Sequence, residues 1–468
     1  MSTNGPDNDD EERTQAPRRR RAAEETRAPP SRVLVLVPVW KRQVRVGEKV
    51  KPFPQIHTPE NRLAEAIGLA RAIDLDIVDA LIVPLSEPRP STLIGSGKVE
   101  ELRAKIAGDE IGLVVIDHLV SPVQQRNLEK AWNVKVIDRT GLILEIFGER
   151  AATREGVLQV ELAHLTYQKG RLVRAWTHLE RQRGGGGFLG GPGEAQIELD
   201  RRILQDRIDA IKRELAEVVK TRELHRKGRR KVPYPIVAIV GYTNAGKSTL
   251  FNKITGAGVL AVDQVFATLD PTMREVKLPS ARRIILSDTV GFISDLPTML
   301  VAAFRATLEE VIEADLILHV RDIAHEETEA QAEDVEKVLT ELGIDVVPAH
   351  AHILEVWNKV DLLPLERLGE LQHDARRDER HPVLVSAVSG LGLDDLLREI
   401  DTRLGAADEI LDVVVPGSQG QLINWLYENT DILNREATEE GALSIKLRVA
   451  SEKKARVIGQ LRKAGVVV

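Results

Sequence analysis

Short apolar runs alternate with amphipathic stretches between Arg32 and about residue 150. The apolar runs, which are typical of strands buried on both faces, lie at 33–37, 80–83, 112–116 and 135–137. The stretches between them, which carry apolar residues at helical spacing, lie at about 60–73, 97–107 and 122–131. Strands that alternate with helices are typical of a parallel sheet. The pattern therefore predicts an N-terminal parallel α/β domain over residues 31–150.

A longer helical period follows in residues 151–231. Apolar residues three, four or seven positions apart form two series, at Leu158, Leu162, Leu165 and Leu172, and then at Ile197, Leu204, Ile208, Ile211, Leu215 and Val218. The break between the series, at 181–193, is rich in glycine, which is unfavourable inside a helix. The pattern predicts two long amphipathic helices that form an antiparallel helical hairpin with a glycine-rich tip.

Two further units complete the chain. Apolar runs at 235–240, 284–288, 314–320, 353–357 and 382–385 are again typical of buried parallel strands and indicate a third domain over residues 232–407. A strand near 410, a helix at 419–427, a strand at 442–449 and a helix at 451–464 predict a small C-terminal α+β domain over residues 408–468. The fold class predicted is a multidomain α/β protein.

Composition narrows the possible functions. The chain of 468 residues has no cysteine, which excludes disulfides, thiol nucleophiles and cysteine zinc sites and fits a reducing cytosol. No apolar run approaches the roughly 20 residues of a membrane span, and the N-terminus is charged rather than apolar. We therefore expect a cytoplasmic protein with no membrane span. Aromatic residues are only 3% of the chain, which argues against a stacking platform for single-stranded nucleic acid.

Residues 1–30 differ from the rest of the chain. They mix acidic and basic clusters with proline and contain almost no large apolar residue, a composition typical of a disordered charged tail. The run Arg18–Arg21 is suited to RNA contact, although a solvated charge run is the simpler interpretation.

Residues Gly241–Ser248 have the spacing of a phosphate-binding loop, Gly-x-x-x-x-Gly-Lys-Ser. The loop lies between an apolar strand and the start of a helix, so its backbone N–H groups and the helix N-terminus can surround phosphate groups. In this motif Lys247 reaches the β- and γ-phosphates, and the Ser248 hydroxyl is a ligand of Mg²⁺. The context of strand, loop and helix makes a chance glycine-rich turn a poor alternative.

A second motif identifies the base. Asn358, Lys359 and Asp361 form Asn-Lys-x-Asp at the end of a predicted strand. A carboxylate at Asp361 can accept hydrogen bonds from guanine N1–H and N2–H₂, whereas adenine would leave a buried carboxylate unpaired. Asn358 would contact the other edge of the base, and the Lys359 stem would cover its face. The small-residue loop Ser386–Val388 would contact guanine O6, and together these motifs favour GTP over ATP.

The segment between these motifs predicts hydrolysis. Asp288 and Gly291 form Asp-x-x-Gly after a strand, so Asp288 would hold Mg²⁺ through water and the Gly291 N–H would bond the γ-phosphate. A threonine of the segment 266–272 should close over both, and we favour Thr268 with Thr272 as the alternative. Phe292 stands where many GTPases place a water-orienting glutamine, and it has no polar atom. We therefore expect another group, or a partner, to orient the attacking water.

These motifs together predict a Ras-like P-loop GTPase domain. The predicted catalytic residues are Lys247, Thr268 and Gly291, and the predicted Mg²⁺ ligands are Ser248, Thr268 and Asp288. The predicted GTP-binding residues are Gly241, Tyr242, Thr243, Asn244, Ala245, Gly246, Lys247, Ser248, Thr249, Asp288, Thr289, Val290, Gly291, Asn358, Lys359, Asp361, Ser386, Ala387 and Val388.

Arginine is clustered around the glycine-rich tip of the predicted hairpin. This clustering in a chain of net charge −7 favours phosphate contact with RNA over a flexible linker flanked by solvated helix faces. The predicted RNA-binding residues are Arg171, Arg174, Arg181, Arg183, Gly184, Gly185, Gly186 and Gly187.

From Arg32 onward the chain resembles the HflX family of translational GTPases. The resemblance rests on the segments Gly95–Lys98, Ser121–Leu128, Gly191–Glu194, Gly241–Ser248, Phe266–Asp270 and Asp288–Phe292. It implies a GTPase that binds GTP and GDP, binds the large ribosomal subunit and its ribosomal RNA, and splits stalled or idle ribosomes, notably under stress. It further implies that the hairpin tip reaches toward the peptidyl-transferase region, and that the N-terminal domain uses ATP.

Two alternatives remain open after this comparison. The chain is either a GTPase that splits ribosomes, which we expect to be monomeric and stimulated by the large subunit, or a nucleotide-dependent RNA remodeller or ribosome assembly factor. A weaker alternative concerns Ile94–Lys98, which has some likeness to a phosphate cradle. It is too short for a phosphate loop, and we expect Ser96 to cap the helix that follows it.

Overall fold

The computed structural model describes residues 31–40, 43–46, 49–52, 56–182, 192–229, 234–257, 265–266, 268–269, 271–297, 300, 305–346, 352–405, 409–437, 442–449 and 451–466. The predicted tail at 1–30 and the tip residues Arg183 and Gly184–Gly187 lie outside these residues. The structure confirms the multidomain α/β fold class.

The N-terminal sheet is built from four parallel strands in the order β4-β1-β5-β6. The strands of this region are β1 (Arg32–Trp40), β2 (Gln43–Val46), β3 (Lys49–Pro52), β4 (Asp76–Leu85), β5 (Leu113–Ile116) and β6 (Lys135–Asp138). The helices are α1 (Pro59–Arg71), α2 (Ser96–Gly108), α3 (Pro122–Trp132) and α4 (Arg139–Arg150). Residues 33–37 are at most 1% exposed, which explains their uninterrupted apolar run.

Local signals set the helix starts in this region. Ser121 and Gln124 form a reciprocal capping box at the start of α3, and Asp138 accepts the Gly141 N–H at the start of α4. The prediction for Ser96 was wrong, because Ser96 is the first residue of α2 and Gly95 occupies the cap without a side-chain hydrogen bond. The antiparallel pair β2–β3 was not predicted either.

Two long helices follow, α5 (Arg154–Gln182) and α6 (Pro192–Arg229). They are antiparallel, because Glu161 of α5 bonds Arg207 of α6, whereas the later Lys169 bonds the earlier Gln205. Among the described members of the two apolar series, Leu158, Ile208 and Ile211 are at most 7% exposed. The others are partly buried, namely Leu162, Leu165, Leu172, Leu204, Leu215 and Val218.

The next sheet has six strands in the order β12-β11-β10-β7-β9-β8, of which only β8 is antiparallel to its neighbour. Its strands are β7 (Ile236–Gly241), β8 (Thr272–Lys277), β9 (Arg283–Asp288), β10 (Leu316–Asp322), β11 (Ile353–Asn358) and β12 (Val383–Leu384). Its helices are α7 (Lys247–Thr255), α8 (Arg305–Ile312), α9 (Thr328–Glu341), α10 (Leu365–Arg377) and α11 (Leu393–Gly405). Because β7, β9, β10 and β11 run in parallel, their carboxyl ends meet at one edge, where ligands of such sheets bind.

The last sheet is antiparallel, in the order β13-β15-β14. Its elements are β13 (Glu409–Pro416), α12 (Gly420–Asn429), β14 (Asp431–Ala437), β15 (Ala442–Val449) and α13 (Ser451–Lys463). The strand β14 was missed from the sequence. No helix of the described ranges is long and apolar enough to cross a membrane.

One apolar core joins the first and third units. It contains Val35 and Phe147 of the N-terminal region together with Phe266, Phe292 and Ile293 of the third domain. The Phe147 and Phe266 rings meet edge to face with their centroids 4.8 Å apart. This shared core seats helices α1 and α4 against the edge of the sheet where the carboxyl ends of β7 and β9 meet.

Candidate nucleotide-binding site

The loop between β7 and α7 needs its two end glycines for close approach to other chain segments. Gly241 and Gly246 have φ angles of +152° and +92°. A Cβ atom on Gly241 would lie 2.2 Å from the Val320 carbonyl oxygen, and one on Gly246 would lie 2.2 Å from Asn358 Nδ2. Any side chain at either position would therefore push the loop away from β10 or β11.

Lys247 lies under this loop with its ammonium group buried. Its Nζ donates to the Tyr242 carbonyl oxygen at 2.6 Å. Burial lowers the pKa of Lys247 to about 8, although the Asp288 carboxylate opposes that effect. A buried ammonium group is stabilised by an anion beside it, so the side chain is suited to phosphate.

Three oxygen-bearing side chains meet beside the loop. Ser248 Oγ donates to Asp288 Oδ2 at 2.7 Å, Thr268 Oγ1 donates to the same atom at 3.0 Å, and the two hydroxyl oxygens are 2.9 Å apart. Burial raises the pKa of Asp288, and the Ser248 hydrogen bond opposes this. Asp288 Oδ1 is buried without a hydrogen-bond partner among the described residues. Hydroxyl and carboxylate oxygens are the ligands that Mg²⁺ prefers, so this donor set fits the ion.

The structure separates the two threonines that were considered for this role. Thr268 lies with Ser248 and Asp288, whereas Thr272 begins β8 and lies opposite Asp288 in the β8–β9 ladder. Ala267 and Asp270 of the same segment lie outside the described residues.

The segment after β9 is bonded directly to the phosphate loop. The Thr243 N–H donates to the Phe292 carbonyl at 2.7 Å, and the Phe292 N–H donates to the Gly241 carbonyl at 3.1 Å. A Cβ on Gly291 would lie 2.9 Å from Thr243 Cγ2 and 3.0 Å from Lys247 Nζ, so Gly291 lies against the buried ammonium group. The Phe292 side chain has no polar atom and is 1% exposed, so it offers no hydrogen bond to this site.

The remaining residues predicted to bind the phosphates differ in their burial and contacts. The Thr289 hydroxyl donates to the Ile239 carbonyl at 2.5 Å. Val290 and Ala245 are buried, whereas Asn244 is exposed with a positive φ of 60°. Thr249 lies in the first turn of α7.

The predicted base-binding residues converge from β11 and β12. Asn358 Nδ2 donates to the Ala245 carbonyl at 2.8 Å, and its Oδ1 accepts the Ala387 N–H at 3.0 Å. Asn358 therefore joins the phosphate loop to the small-residue loop at 386–388. Within that loop Ser386 is fully buried and Val388 is 73% exposed.

Asp361 differs from the sequence interpretation, which treated its carboxylate as buried. It lies in a short 3₁₀ turn, Val360–Leu362, and is exposed in this structure. Lys359 beside it has a positive φ of 66°, and its Nζ pairs with Asp322 Oδ2 at 2.7 Å. The base specificity that Asp361 can supply therefore depends on how far a bound base covers it.

Sequence reasoning missed the contribution of helix α1. A cavity of about 290 Å³ is lined on one side by Thr243, Asn244 and Lys359, and on the other by Arg62 and Glu65. Nothing in the local spacing of α1 indicated that it lies against the phosphate loop.

The predicted RNA-binding residues divide into two groups. Arg171 is used internally, because its guanidinium pairs with Asp138 at 2.5 Å, donates to the Val120 carbonyl at 3.1 Å and lies over the Tyr167 ring. Arg171 thus has internal partners in this structure, and its contact with RNA stays a prediction. Arg183 and Gly184–Gly187 lie outside the described residues, as do the side chains of Arg174 and Arg181.

Four family models match consecutive parts of the chain. Their descriptions are GTP-binding GTPase N-terminal over residues 60–148, GTP-binding GTPase Middle Region over 150–229, 50S ribosome-binding GTPase over 236–359, and HflX C-terminal domain over 371–466. The four matches follow one another in the same order as the structural units.

Curated relatives align with most of the chain. The GTPase HflX of Magnetococcus marinus is 49% identical over 407 residues, which are 87% of this chain and 92% of that protein. The GTPase HflX of Escherichia coli is 42% identical over 390 residues, which are 83% of this chain and 89% of that protein. The GTPase HflX of Caldanaerobacter subterraneus is 42% identical over 404 residues, or 86% and 91% of the two chains.

Proposed function

Because the chain belongs to the HflX family of GTPases, we propose that it is a GTP-hydrolysing translational factor that splits stalled or idle ribosomes, particularly under stress. The observation that carries this proposal is the meeting of Lys247, Ser248, Asp288 and Asn358 at one sheet edge of a chain so similar to GTPase HflX. The ribosomal part is supported by the match to a family described as 50S ribosome-binding GTPase. On this proposal the protein acts as a cytoplasmic monomer that binds the large subunit and its RNA.

Phosphoryl transfer to water requires that negative charge on the γ-phosphate be stabilised. We assign Lys247 to the β- and γ-phosphates and the Gly291 N–H to the γ-phosphate. Ser248 and Thr268 would hold Mg²⁺ directly and Asp288 would hold it through water. When bound, the ion supplies positive charge that neutralises the phosphate oxygens.

The orientation of the attacking water is the incomplete part of this site. Phe292 is apolar and buried, so its side chain cannot accept a proton or align a water molecule. We therefore propose that intrinsic hydrolysis is slow, and that the large ribosomal subunit accelerates it by ordering the Thr268 segment or by donating a polar group. Binding of GTP would favour the state that splits ribosomes, and hydrolysis would release the factor.

Two measurements on the full-length protein test this function. Single-turnover GTP hydrolysis is followed with and without large subunits, and intact ribosomes are sedimented through sucrose gradients with the protein and a non-hydrolysable GTP analogue. We expect faster hydrolysis with large subunits and a shift from intact ribosomes to free subunits. Lys247→Ala should abolish both effects, whereas Lys337→Ala, an exposed substitution on α9, should leave both unchanged.

The outcomes separate the proposal from its alternative. Equal hydrolysis rates with and without large subunits would show that the water is oriented within this chain. Intact ribosomes in the gradient, together with nucleotide-dependent RNA binding, would favour an RNA remodeller or assembly factor instead.

A further inference from the structure

A buried hydrogen-bond network joins helix α1 to the phosphate loop. The Tyr242 hydroxyl donates to Glu65 Oε2 at 2.5 Å and accepts the Ser294 N–H at 2.8 Å. The Ser294 hydroxyl in turn donates to Glu65 at 3.0 Å. Glu65 belongs to the N-terminal region, whereas Tyr242 and Ser294 belong to the phosphate loop and to the segment after Asp-x-x-Gly. One carboxylate therefore contacts both loops of the nucleotide site.

Arg139, the first residue of α4, closes the network from the other side. Its guanidinium pairs with Glu65 and Asp117, and it donates to the Ser294 carbonyl at 2.7 Å and to the Ser294 hydroxyl at 3.2 Å. Ser294 is thus held through its N–H, its carbonyl and its hydroxyl. The guanidinium is 5% exposed and Asp117 is 2% exposed, so water does not compete strongly for these bonds.

Two members of the network, Arg139 and Tyr242, have pKa values raised above the usual ones. Burial opposes the charge of Arg139, but Asp117 and Glu65 outweigh it and raise the pKa of the guanidinium above its usual value. Burial and the Glu65 carboxylate raise the pKa of Tyr242 above its usual value, so the phenol stays protonated and its O–H donates a hydrogen bond to Glu65. Arg139 and Tyr242 are therefore both protonated around neutral pH, and both act as donors to Glu65.

The network lies close to the groups that would contact the γ-phosphate. Tyr242 supplies the carbonyl that holds Lys247, and Ser294 lies three residues beyond Gly291. Gly291 itself lies against Lys247, because both the N–H and the carbonyl of Phe292 are hydrogen-bonded to the phosphate loop. A displacement of Ser294 would be transmitted along this short segment to the Gly291 N–H.

The N-terminal region also contacts the segment that contains Thr268. The Phe266 ring packs on Phe147 of α4, two residues before the Thr268 hydroxyl meets Ser248 and Asp288. Helices α1 and α4 thus contact both segments that are expected to respond to the γ-phosphate.

We propose that Glu65 and Arg139 are positioning residues for GTP hydrolysis. They hold Tyr242 and Ser294 so that the Gly291 N–H and the Lys247 ammonium group face the γ-phosphate together. This inference rests on the proposed function. It predicts that the network stabilises GTP and its transition state more than it stabilises GDP, because Gly291 is assigned to the γ-phosphate alone.

Tyr242→Phe and Glu65→Gln in the full-length protein test this role with little change in volume. We expect each variant to lower the single-turnover rate at saturating GTP about tenfold, with GDP affinity within twofold of the wild type. Because the two residues share one hydrogen bond, the double variant should lose less than the product of the two single losses. Glu60→Gln, an exposed carboxylate on the same helix, is the matched control and should leave hydrolysis unchanged.

A further variant, Ser294→Ala, guards against loss of folding. Ser294→Ala removes only the hydroxyl contacts with Arg139 and Glu65. It should also lower the rate, while its melting curve shows a protein that is still folded at the assay temperature. Wild-type rates in all of these variants, or equal losses of GDP and GTP affinity, would overturn the positioning role. A wild-type protein that does not hydrolyse GTP would instead contradict the proposed function itself.

Discussion

His57 provides a second ionic contact between the N-terminal region and the nucleotide-binding domain. Its Nδ1 lies 2.8 Å from Glu327 Oε2 and its Nε2 lies 2.8 Å from Asp334 Oδ2. Thr58, which caps α1, donates its N–H to the same Glu327 carboxylate at 2.5 Å. We predict that His57→Gln weakens the docking of α1 on α9 and that the effect depends on pH.

The magnitude follows from the pKa of the imidazole. Burial alone would lower it, but Asp334 and Glu327 raise the pKa of His57 from 6.5 to about 9. This difference corresponds to about 3.4 kcal/mol for the charged form, and solvent near the partly exposed side chain reduces it to about 2 kcal/mol. A raised pKa stabilises the folded protein fully below about pH 6.5, and the contribution is lost as the pH rises through about 9.

Hydrogen–deuterium exchange of residues 59–71 measures this docking locally. At pH 6.5 the substitution should speed exchange about 30-fold, the equivalent of about 2 kcal/mol, and at pH 9 only about twofold. Comparison of the two proteins at each pH cancels the intrinsic pH dependence of exchange. His373→Gln, an exposed histidine on α10, is the control. An exchange ratio that stays the same from pH 6.5 to pH 9 would refute the ionic account of this contact.

Three further predictions concern the nucleotide and RNA sites. Asp361→Asn should weaken GTP binding on the order of 100-fold and favour xanthosine nucleotides, because two charge-assisted bonds are lost; unchanged GTP and XTP affinities would contradict the base assignment. Gly291→Ala should slow hydrolysis at least about tenfold while GDP binds normally, since the new methyl meets Thr243 and Lys247; normal single-turnover kinetics would exclude Gly291 from the γ-phosphate. Deletion of 184–191 should weaken large-subunit binding and flatten its salt dependence without affecting GTP binding; a wild-type salt slope would make the tip a passive linker.

The sequence predicted best what depends on neighbouring residues. The strand, loop and helix around Gly241–Ser248 are contiguous, so spacing alone indicated where Lys247 and Ser248 lie. The strand at 33–37 and the two long helices could also be predicted. A strand buried on both faces gives a continuous apolar run, whereas a helix buried on one face gives apolar residues three or four positions apart.

Elements with ambiguous periods were missed. Helix α4 buries eight of its residues, including Ile143 and Phe147, and its apolar residues at 142–147 form a run broken only by Glu145 instead of a stripe at helical spacing. Strand β14 carries polar residues at Asn434 and Glu436 on an edge of its sheet, which hides a strand pattern.

Contacts between distant segments were also beyond reach. Glu65 meets Tyr242 across 177 positions, and no spacing rule relates a carboxylate on one amphipathic helix to a phenol in a loop that far away. The internal contacts of Arg171 illustrate the same limit. Its position near a basic cluster did not indicate that its guanidinium contacts Asp138 and the Val120 carbonyl.

The core shared by Phe147 and Phe266 has a consequence for synthesis of the chain. The two rings are separated by about 120 residues, which include both long helices. At a synthesis rate of about 5–20 residues per second, Phe266 follows Phe147 out of the ribosome by roughly 6–24 s. During that interval the Phe147 side chain and the Glu65–Arg139 pair have no partner from the later domain. We therefore expect the nascent N-terminal region to expose an apolar surface with a charged border until the phosphate loop has been made.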